Sequence, residues 1–180
     1  MTEGWTLRLA TTGEIEAIDA LMKASTRDLF PLVYDGEQTE ASVRYIASVD
    51  PMLVEDGTYF VIEADGELVG CGGWSRRDKL FTGSGEEASS VRLLDPATEP
   101  ARVRAMFVRS DWTRRGLGTA ILDASESAAK AEGFRSLALM STMPGVPLYK
   151  RFGFTVDQPT EIRMPNGVTI ASAAMSKPIA

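Results

Sequence analysis

The chain has 180 residues, of which 44% are hydrophobic and 24% are charged, and its formal net charge at pH 7 is −6. This length and composition predict one globular domain spanning residues 1–180, and they exclude a disordered or fibrous protein. Because the charge is negative and the basic residues are dispersed, no nucleic-acid partner is expected.

The residue types that are missing exclude several reaction classes. The chain holds no histidine and one cysteine, Cys71, so a His-based metal site, a Ser-His or Cys-His pair and an internal disulfide are ruled out. No metal is expected. Cys71 lies in an apolar stretch, residues 68–74, which favours a buried, inert thiol over a nucleophile. The N-terminus lacks a leader pattern and no apolar run is long enough for a bilayer, which predicts a cytoplasmic protein with no membrane partner.

The first part of the chain predicts a strand followed by two helices. Residues Trp5 to Ala10 alternate bulky and polar side chains, and apolar residues then recur at helical spacing from Ile15 to Met22. A less regular helix is predicted from Glu40 to Val49. Pro51 is expected to stop it, since proline disfavours helix at the residue before it.

The middle of the chain contains a hairpin pattern. Two strand-like runs, Tyr59 to Ala64 and Glu67 to Gly70, are separated by Asp65-Gly66, a pair that tolerates the positive φ angles of a tight turn. Residues Arg76 to Pro100 are polar and turn-rich, which predicts an excursion between strands. It covers the acceptor site or is a plain surface loop.

The second half alternates strands with helices. We predict a strand at Val103–Val108, an amphipathic helix that begins near Leu117 and ends at Gly133, a strand at Ser136–Met140, a short helix at Pro147–Phe152, and two strands around the turn Pro165-Asn166-Gly167. The whole order indicates the α/β (α+β) class with a single mixed sheet.

A phosphate-binding pattern stands where the strand at Val103–Val108 leads into the long helix. Its residues are Arg114-Arg115-Gly116-Leu117-Gly118-Thr119. The first N–H groups of a helix lack internal partners and carry the positive end of the helix dipole, so they bind anions. The P-loop and the dinucleotide fingerprint are both excluded, the latter because Ile121 stands where a third glycine is needed. Tight packing at a helix start is the alternative explanation of the glycines.

Two ordered motifs make the chain resemble the GNAT superfamily of N-acetyltransferases. The segment Thr113 to Gly118 is similar to the family's Q/R-x-x-G-x-G/A signature, although Thr113 replaces the usual Gln or Arg, and Tyr149 to Phe154 looks like its Y-x-x-x-G-F element. The resemblance covers most of the chain. It implies a mostly antiparallel sheet, flanked by helices and splayed between the strands at Val103–Val108 and Ser136–Met140.

The resemblance further implies acetyl-CoA as co-substrate, lying in the opening of the sheet. The backbone of Met106 and Val108 would bond the pantetheine amides, and the Val108 amide would lie near the thioester carbonyl. The expected cofactor-binding residues are Met106, Phe107, Val108, Arg114, Arg115, Gly116, Leu117, Gly118 and Thr119.

Tyr149 matches the family's general acid, which protonates the departing CoA thiolate. A phenol with a pKa of about 10 stays protonated at neutral pH and suits this task. An aromatic core residue is the alternative. Phe30, Tyr34 and Trp74 are candidates for an aromatic acceptor wall, with core packing again the alternative for each.

The implied activity is direct transfer of an acetyl group to an amine, on a small molecule or on a protein. A carboxylate or water must take the proton from the amine, and Asp28, Asp35 and Glu37 lie in the region that lines the acceptor site in the family. Open alternatives are a non-catalytic acyl-CoA-binding sensor, a different acyl donor such as succinyl-CoA, and a homodimer formed through an exposed edge strand.

Overall fold

The computed structural model describes residues 4–79 and 92–180. In chain order its elements are β1 (Thr6–Leu9), α1 (Ile15–Leu29), α2 (Gly36–Tyr45), α3 (Pro51–Glu55), β2 (Tyr59–Ala64), β3 (Glu67–Ser75), β4 (Ala101–Val108), α4 (Leu117–Ala131), β5 (Ser136–Thr142), α5 (Val146–Phe152), β6 (Thr155–Arg163) and β7 (Thr169–Pro178). A single helical turn, Phe30–Leu32, follows α1, and another, Met143–Gly145, precedes α5.

The glycine-rich part of the predicted excursion, residues 83–87, lies outside the described residues. Within the described ranges no helix has the length and apolar character that a membrane span needs.

In the described part of the chain the strands form one seven-stranded sheet, in the order β1-β2-β3-β4-β5-β7-β6. Strands β4 and β5 run parallel, while the other neighbouring pairs are antiparallel. This confirms the predicted α/β (α+β) class with a mixed, mostly antiparallel sheet.

Helices cover both faces of the sheet because consecutive strand residues point to opposite sides. On one face, Ile18 of α1 and Leu53 of α3 pack in a cluster with Val61 of β2. On the other face, Ile121 of α4 packs in a cluster with Ile62, the next residue of the same strand. Burial of these apolar side chains is the main force that holds the helices on the sheet.

The sheet opens between its two parallel strands. They pair through Ala101 with Leu137 and Arg102 with Ala138. Beyond that point β4 continues along β3 to Val108, whereas β5 continues along β7 to Thr142. The strands therefore diverge, and we call the space between residues 103–108 and 139–142 the gap. The predicted splay of the sheet is confirmed.

The predicted hairpin is also confirmed. Asp65 and Gly66 have φ angles of 52° and 79°, so both central residues of the turn are left-handed. A two-residue turn of this kind matches the twist of the strands that it connects.

The predicted bounds of the second helix, Glu40–Val49, are wrong at both ends. The helix starts earlier, at Gly36, because Asp35 caps it: the Asp35 carboxylate accepts from the Gln38 N–H at 2.7 Å, and the Gln38 side chain accepts from the Asp35 N–H at 3.0 Å. It ends at Tyr45. A reciprocal cap of this kind satisfies N–H groups that the helix itself leaves unpaired.

Pro51 was expected to stop a helix, and instead it begins one. It occupies the first turn of α3, where a missing N–H costs nothing because no helical acceptor is available there. The Asp50 carboxylate caps this helix by accepting from the Met52 N–H at 3.0 Å. Asp50, the residue before the proline, has the extended backbone that the rule predicts, but Pro51 itself begins α3 and does not end a helix.

Candidate active site

The edge of β4 that borders the gap presents backbone N–H and C=O groups. The N–H of Arg109 donates to the Val69 carbonyl on β3 at 2.9 Å. Since N–H groups of consecutive strand residues point to opposite edges, the Val108 N–H points away from β3, toward the gap. The Ser25 hydroxyl, on α1, donates to the Val108 carbonyl at 2.7 Å and holds this residue in place from the helix side. The predicted segment Met106, Phe107 and Val108 thus lies along the gap.

A bulge precedes this segment. Cys71 pairs with Phe107 and Gly73 with Arg104, so the single β3 residue Gly72 faces two residues of β4, Ala105 and Met106. Bulges bend a strand and change the direction of the residues that follow. No local sequence pattern predicts this bulge.

The loop after β4 wraps into an anion-binding turn at the start of α4. Arg114 and Gly116 have φ angles of 63° and 83°, and Gly116 is the residue that caps the helix. The Ala120 N–H bonds the Gly116 carbonyl at 3.0 Å, which is the first bond of the helix. The N–H groups of Leu117, Gly118 and Thr119 therefore have no helical acceptors and point outward with the positive end of the dipole.

The side chains of this turn divide into two sets. Arg114, Arg115, Gly116 and Thr119 are exposed, whereas Leu117 and Gly118 are buried and can offer only their backbone to a ligand. A Cβ atom on Gly118 would stand 2.6 Å from Leu148 Cδ2, so this glycine allows α5 to approach α4. This contact fits the tight packing that was the alternative explanation of the glycines, and the role of the Gly118 backbone in cofactor binding stays a prediction.

Aromatic and hydroxyl groups support the same turn. The Arg115 guanidinium lies over the Trp112 ring, 4.4 Å from its centroid, which orients an otherwise long and mobile cation. The Thr113 hydroxyl donates to the Ser110 carbonyl at 3.0 Å. The residue that departs from the family signature thus stabilises its own loop.

Tyr149 lies on α5 and is 8% exposed. Its ring packs edge-on against Phe154 at a centroid distance of 5.7 Å, and a Cβ atom on Gly145 would stand 3.0 Å from both the Tyr149 ring and the Ser141 hydroxyl. Within residues 4–79 and 92–180 its hydroxyl makes no hydrogen bond, and burial raises its pKa well above the ordinary value. The phenol is therefore protonated and available to donate.

Phe30 and Tyr34 form a pair at the β5 side of the gap. Their rings are 5.4 Å apart. The Tyr34 hydroxyl donates to the Ala171 carbonyl at 2.6 Å and accepts from the Met143 N–H at 2.8 Å, and burial raises its pKa. Tyr34 thereby ties the turn after α1 to the connection between β5 and α5, which leads to Tyr149.

Three exposed apolar side chains belong to residues next to Tyr34 in the chain or bonded to its hydroxyl. In the described part of the chain six large apolar side chains are exposed, and three of them are Leu32, Val33 and Met143. Leu32 is 80% exposed. Residues 32 and 33 precede Tyr34 in the chain, and the Tyr34 hydroxyl accepts from the Met143 N–H. We call the exposed side chains of Leu32, Val33 and Met143 the entrance patch.

Trp74 does not join the other two aromatic candidates. It is 1% exposed and packs edge-on against Phe134, with ring centroids 5.9 Å apart. Its cluster contains Val103 and Leu122, whereas Phe30 and Tyr34 belong to a separate one. The predicted place of Trp74 in an acceptor wall is therefore corrected to the core.

The three candidate carboxylates lie in different settings. Asp28 accepts from the Ser110 hydroxyl at 2.7 Å, just beyond the end of β4. Asp35 caps α2, and Glu37 is exposed in the first turn of that helix. Of the three, Asp28 is the one held beside β4. Neither Ser25 nor Ser110 was predicted, since an isolated serine carries no pattern.

Comparisons with known proteins agree with this geometry. A family model described as the acetyltransferase (GNAT) family matches residues 18–154. An N-alpha-acetyltransferase of Sulfurisphaera tokodaii is 30% identical over 114 residues, which are 61% of this chain and 64% of that relative, so the match spans less than two thirds of the relative's length.

Solved structures share the fold at low identity. A GCN5-related N-acetyltransferase from Rhodopseudomonas palustris superposes with a TM-score of 0.74 at 21% identity, covering 99% of this chain and 98% of that one. The PaiA N-acetyltransferase of Thermoplasma acidophilum, solved in complex with coenzyme A, superposes with a TM-score of 0.67 at 14% identity, covering 97% and 98%.

Proposed function

This chain belongs to the acetyltransferase (GNAT) family, and on that premise we propose that it transfers the acetyl group of acetyl-CoA directly to an amine bound at the gap. The observation that carries the proposal is the divergence of β4 and β5 after two residue pairs, with the Val108 N–H facing the opening. An unpaired strand edge binds an extended ligand as an additional strand would.

We propose that the two ends of the donor bind at β4 and α4. The pantetheine arm lies along Met106, Phe107 and Val108, and the pyrophosphate lies on the outward N–H groups of Leu117 to Thr119. Arg115, oriented by Trp112, adds a cation at the rim. Because backbone N–H groups supply most of the proposed contacts to the acyl donor, few basic side chains are needed to bind it.

The chemistry proceeds in one bound complex. The amine nitrogen attacks the thioester carbonyl carbon, and the Val108 N–H stabilises the negative charge that forms on the carbonyl oxygen. The C–S bond then breaks. Tyr149 gives its proton to the leaving thiolate, because a buried phenol with a raised pKa remains protonated at neutral pH. The proton lost by the amine passes to a carboxylate or to water, and water returns a proton to Tyr149 before the next turnover.

We further propose that the acceptor is an α-amino group beside an apolar side chain. The entrance patch supports an apolar neighbour, since an apolar side chain bound there would remove part of Leu32, Val33 and Met143 from water. The related N-alpha-acetyltransferase supports an α-amine.

The proposal is tested by thiol release from acetyl-CoA with a panel of short peptides and small amines. Tyr149→Phe is compared with Tyr45→Phe, a matched variant whose hydroxyl makes no hydrogen bond within the described residues. We expect release that needs an acceptor, that is faster for peptides beginning with Leu or Met than with Asp, and that falls at least about tenfold in Tyr149→Phe alone.

Other outcomes identify the alternatives. Binding of acetyl-CoA without acceptor-dependent release across the panel would contradict the enzyme and favour a sensor. Faster release from succinyl-CoA than from acetyl-CoA would contradict the assigned donor.

A further inference from the structure

A buried tyrosine holds the bulge that directs β4 into the gap. The Tyr59 hydroxyl, on β2, donates to the Ala105 carbonyl at 2.6 Å. Tyr59 is completely buried, and burial raises its pKa well above the ordinary value. The phenol therefore stays protonated and remains a donor across the physiological pH range.

The residue that Tyr59 binds has an unfavourable backbone conformation. Ala105 has a φ angle of 51°, which L-residues other than glycine, asparagine and aspartate rarely adopt because of the contact between Cβ and the backbone. Such a conformation persists only where neighbouring groups hold it. Here the hydrogen bond from Tyr59 is a direct restraint on the residue that would otherwise relax.

Two further contacts hold β4 on either side of the bulge from the face that α1 and α3 cover. Arg104, immediately before Ala105, is almost fully buried, and its guanidinium lies 3.7 Å from the Asp50 carboxylate. Beyond the bulge, the Ser25 hydroxyl binds the Val108 carbonyl at 2.7 Å. The strand is thus fixed at both ends, and Tyr59 acts at the point where its direction changes.

We propose that Tyr59 is a positioning residue for the acyl donor: by holding Ala105 in its left-handed conformation it aims the backbone from Met106 to Val108 into the gap. Tyr59 touches neither donor nor acceptor. It acts through the strand that the donor pairs with, so its loss weakens acetyl-CoA binding more than it weakens acceptor binding. This inference rests on the proposed function.

The test compares three tyrosine-to-phenylalanine variants, at Tyr59, Tyr149 and Tyr45. Acetyl-CoA affinity is measured by calorimetry, and KM and kcat by thiol release. We expect Tyr59→Phe to bind acetyl-CoA about tenfold more weakly, with an unchanged KM for the acceptor, since one buried hydrogen bond is lost. Tyr149→Phe should lose kcat and keep its affinity, and Tyr45→Phe should match the wild type.

A glycine at position 105 provides the second test. Glycine adopts a positive φ without strain, so Ala105→Gly should recover part of the affinity that Tyr59→Phe loses, and it should change the wild type little. Hydrogen exchange reports whether β4 loosens when the Tyr59 hydrogen bond is lost. In Tyr59→Phe the amides from Met106 to Val108 should exchange faster than in the wild type, while those of β2 and β3 should not.

Equal acetyl-CoA affinity in Tyr59→Phe and Tyr45→Phe would overturn the inference, as would strictly additive effects of the changes at positions 59 and 105. If Tyr59→Phe alone is too unstable, the double variant is compared with Ala105→Gly. Failure of the wild type to bind acetyl-CoA would refute the proposed function instead, which keeps the two failures distinguishable.

Discussion

Tyr34→Phe distinguishes a residue that holds the site together from one that contacts the acceptor. The change removes the donor to the Ala171 carbonyl and the acceptor for the Met143 N–H. Both bonds are partly buried, so water replaces them in part, and each contributes about 1 kcal/mol. The free energy of unfolding should therefore fall by about 2 kcal/mol, which lowers Tm by about 6 °C for a chain of this length.

The assay is thermal and chemical denaturation beside acceptor kinetics, with Tyr45→Phe as the matched control. Because the Met143 turn leads toward Tyr149, kcat should fall together with stability. An unchanged Tm with a raised acceptor KM would refute this reasoning and would make Tyr34 a ligand contact only.

Three further predictions concern charge, reactivity and packing. Arg8 lowers the pKa of Glu14 to about 2, so the pair stabilises the fold above the ordinary carboxyl pKa of 4.5 and loses its effect as the pH falls toward 2. Denaturation at both pH values should show that Glu14→Gln costs about 1 kcal/mol at pH 7, after allowance for solvent screening, and much less near pH 2. Burial raises the pKa of Cys71 to about 12. The thiol should therefore resist iodoacetamide at pH 8 in the native protein and react with it in guanidinium chloride. Labelling of the native thiol would contradict its burial. Gly118→Val should destabilise the fold by about 1–3 kcal/mol through contact with Leu148. Adding Leu148→Ala should recover part of that loss in a thermal melt. If the losses of the two single variants simply add in the double variant, the contact is excluded.

Elements with strong local patterns could be predicted from the sequence. The Asp65-Gly66 turn and the amphipathic run of α4 depend on neighbouring residues, and both lie where they were expected. The second helix was misplaced because its start depends on a reciprocal cap between Asp35 and Gln38, which outweighs the weak periodicity that follows. Pro51 was misread because one proline can end or begin a helix, and the choice depends on the capping role of Asp50.

The candidate site was only partly predictable. The turn at Gly116 and the position of Tyr149 follow from motifs that are contiguous in the chain. The bulge at Ala105 and its bond to Tyr59 depend on residues 46 positions apart, and no local pattern encodes such a contact. Trp74 was misassigned because an aromatic residue at a strand end looks the same in sequence whether it faces a cleft or the core.

Binding of an acyl-CoA at the gap is tested by a calorimetric titration of the wild-type chain with acetyl-CoA. We expect saturable binding of one acetyl-CoA per chain, weakened by Tyr59→Phe and retained by Tyr149→Phe. Absence of binding by the folded wild-type protein would contradict this expectation.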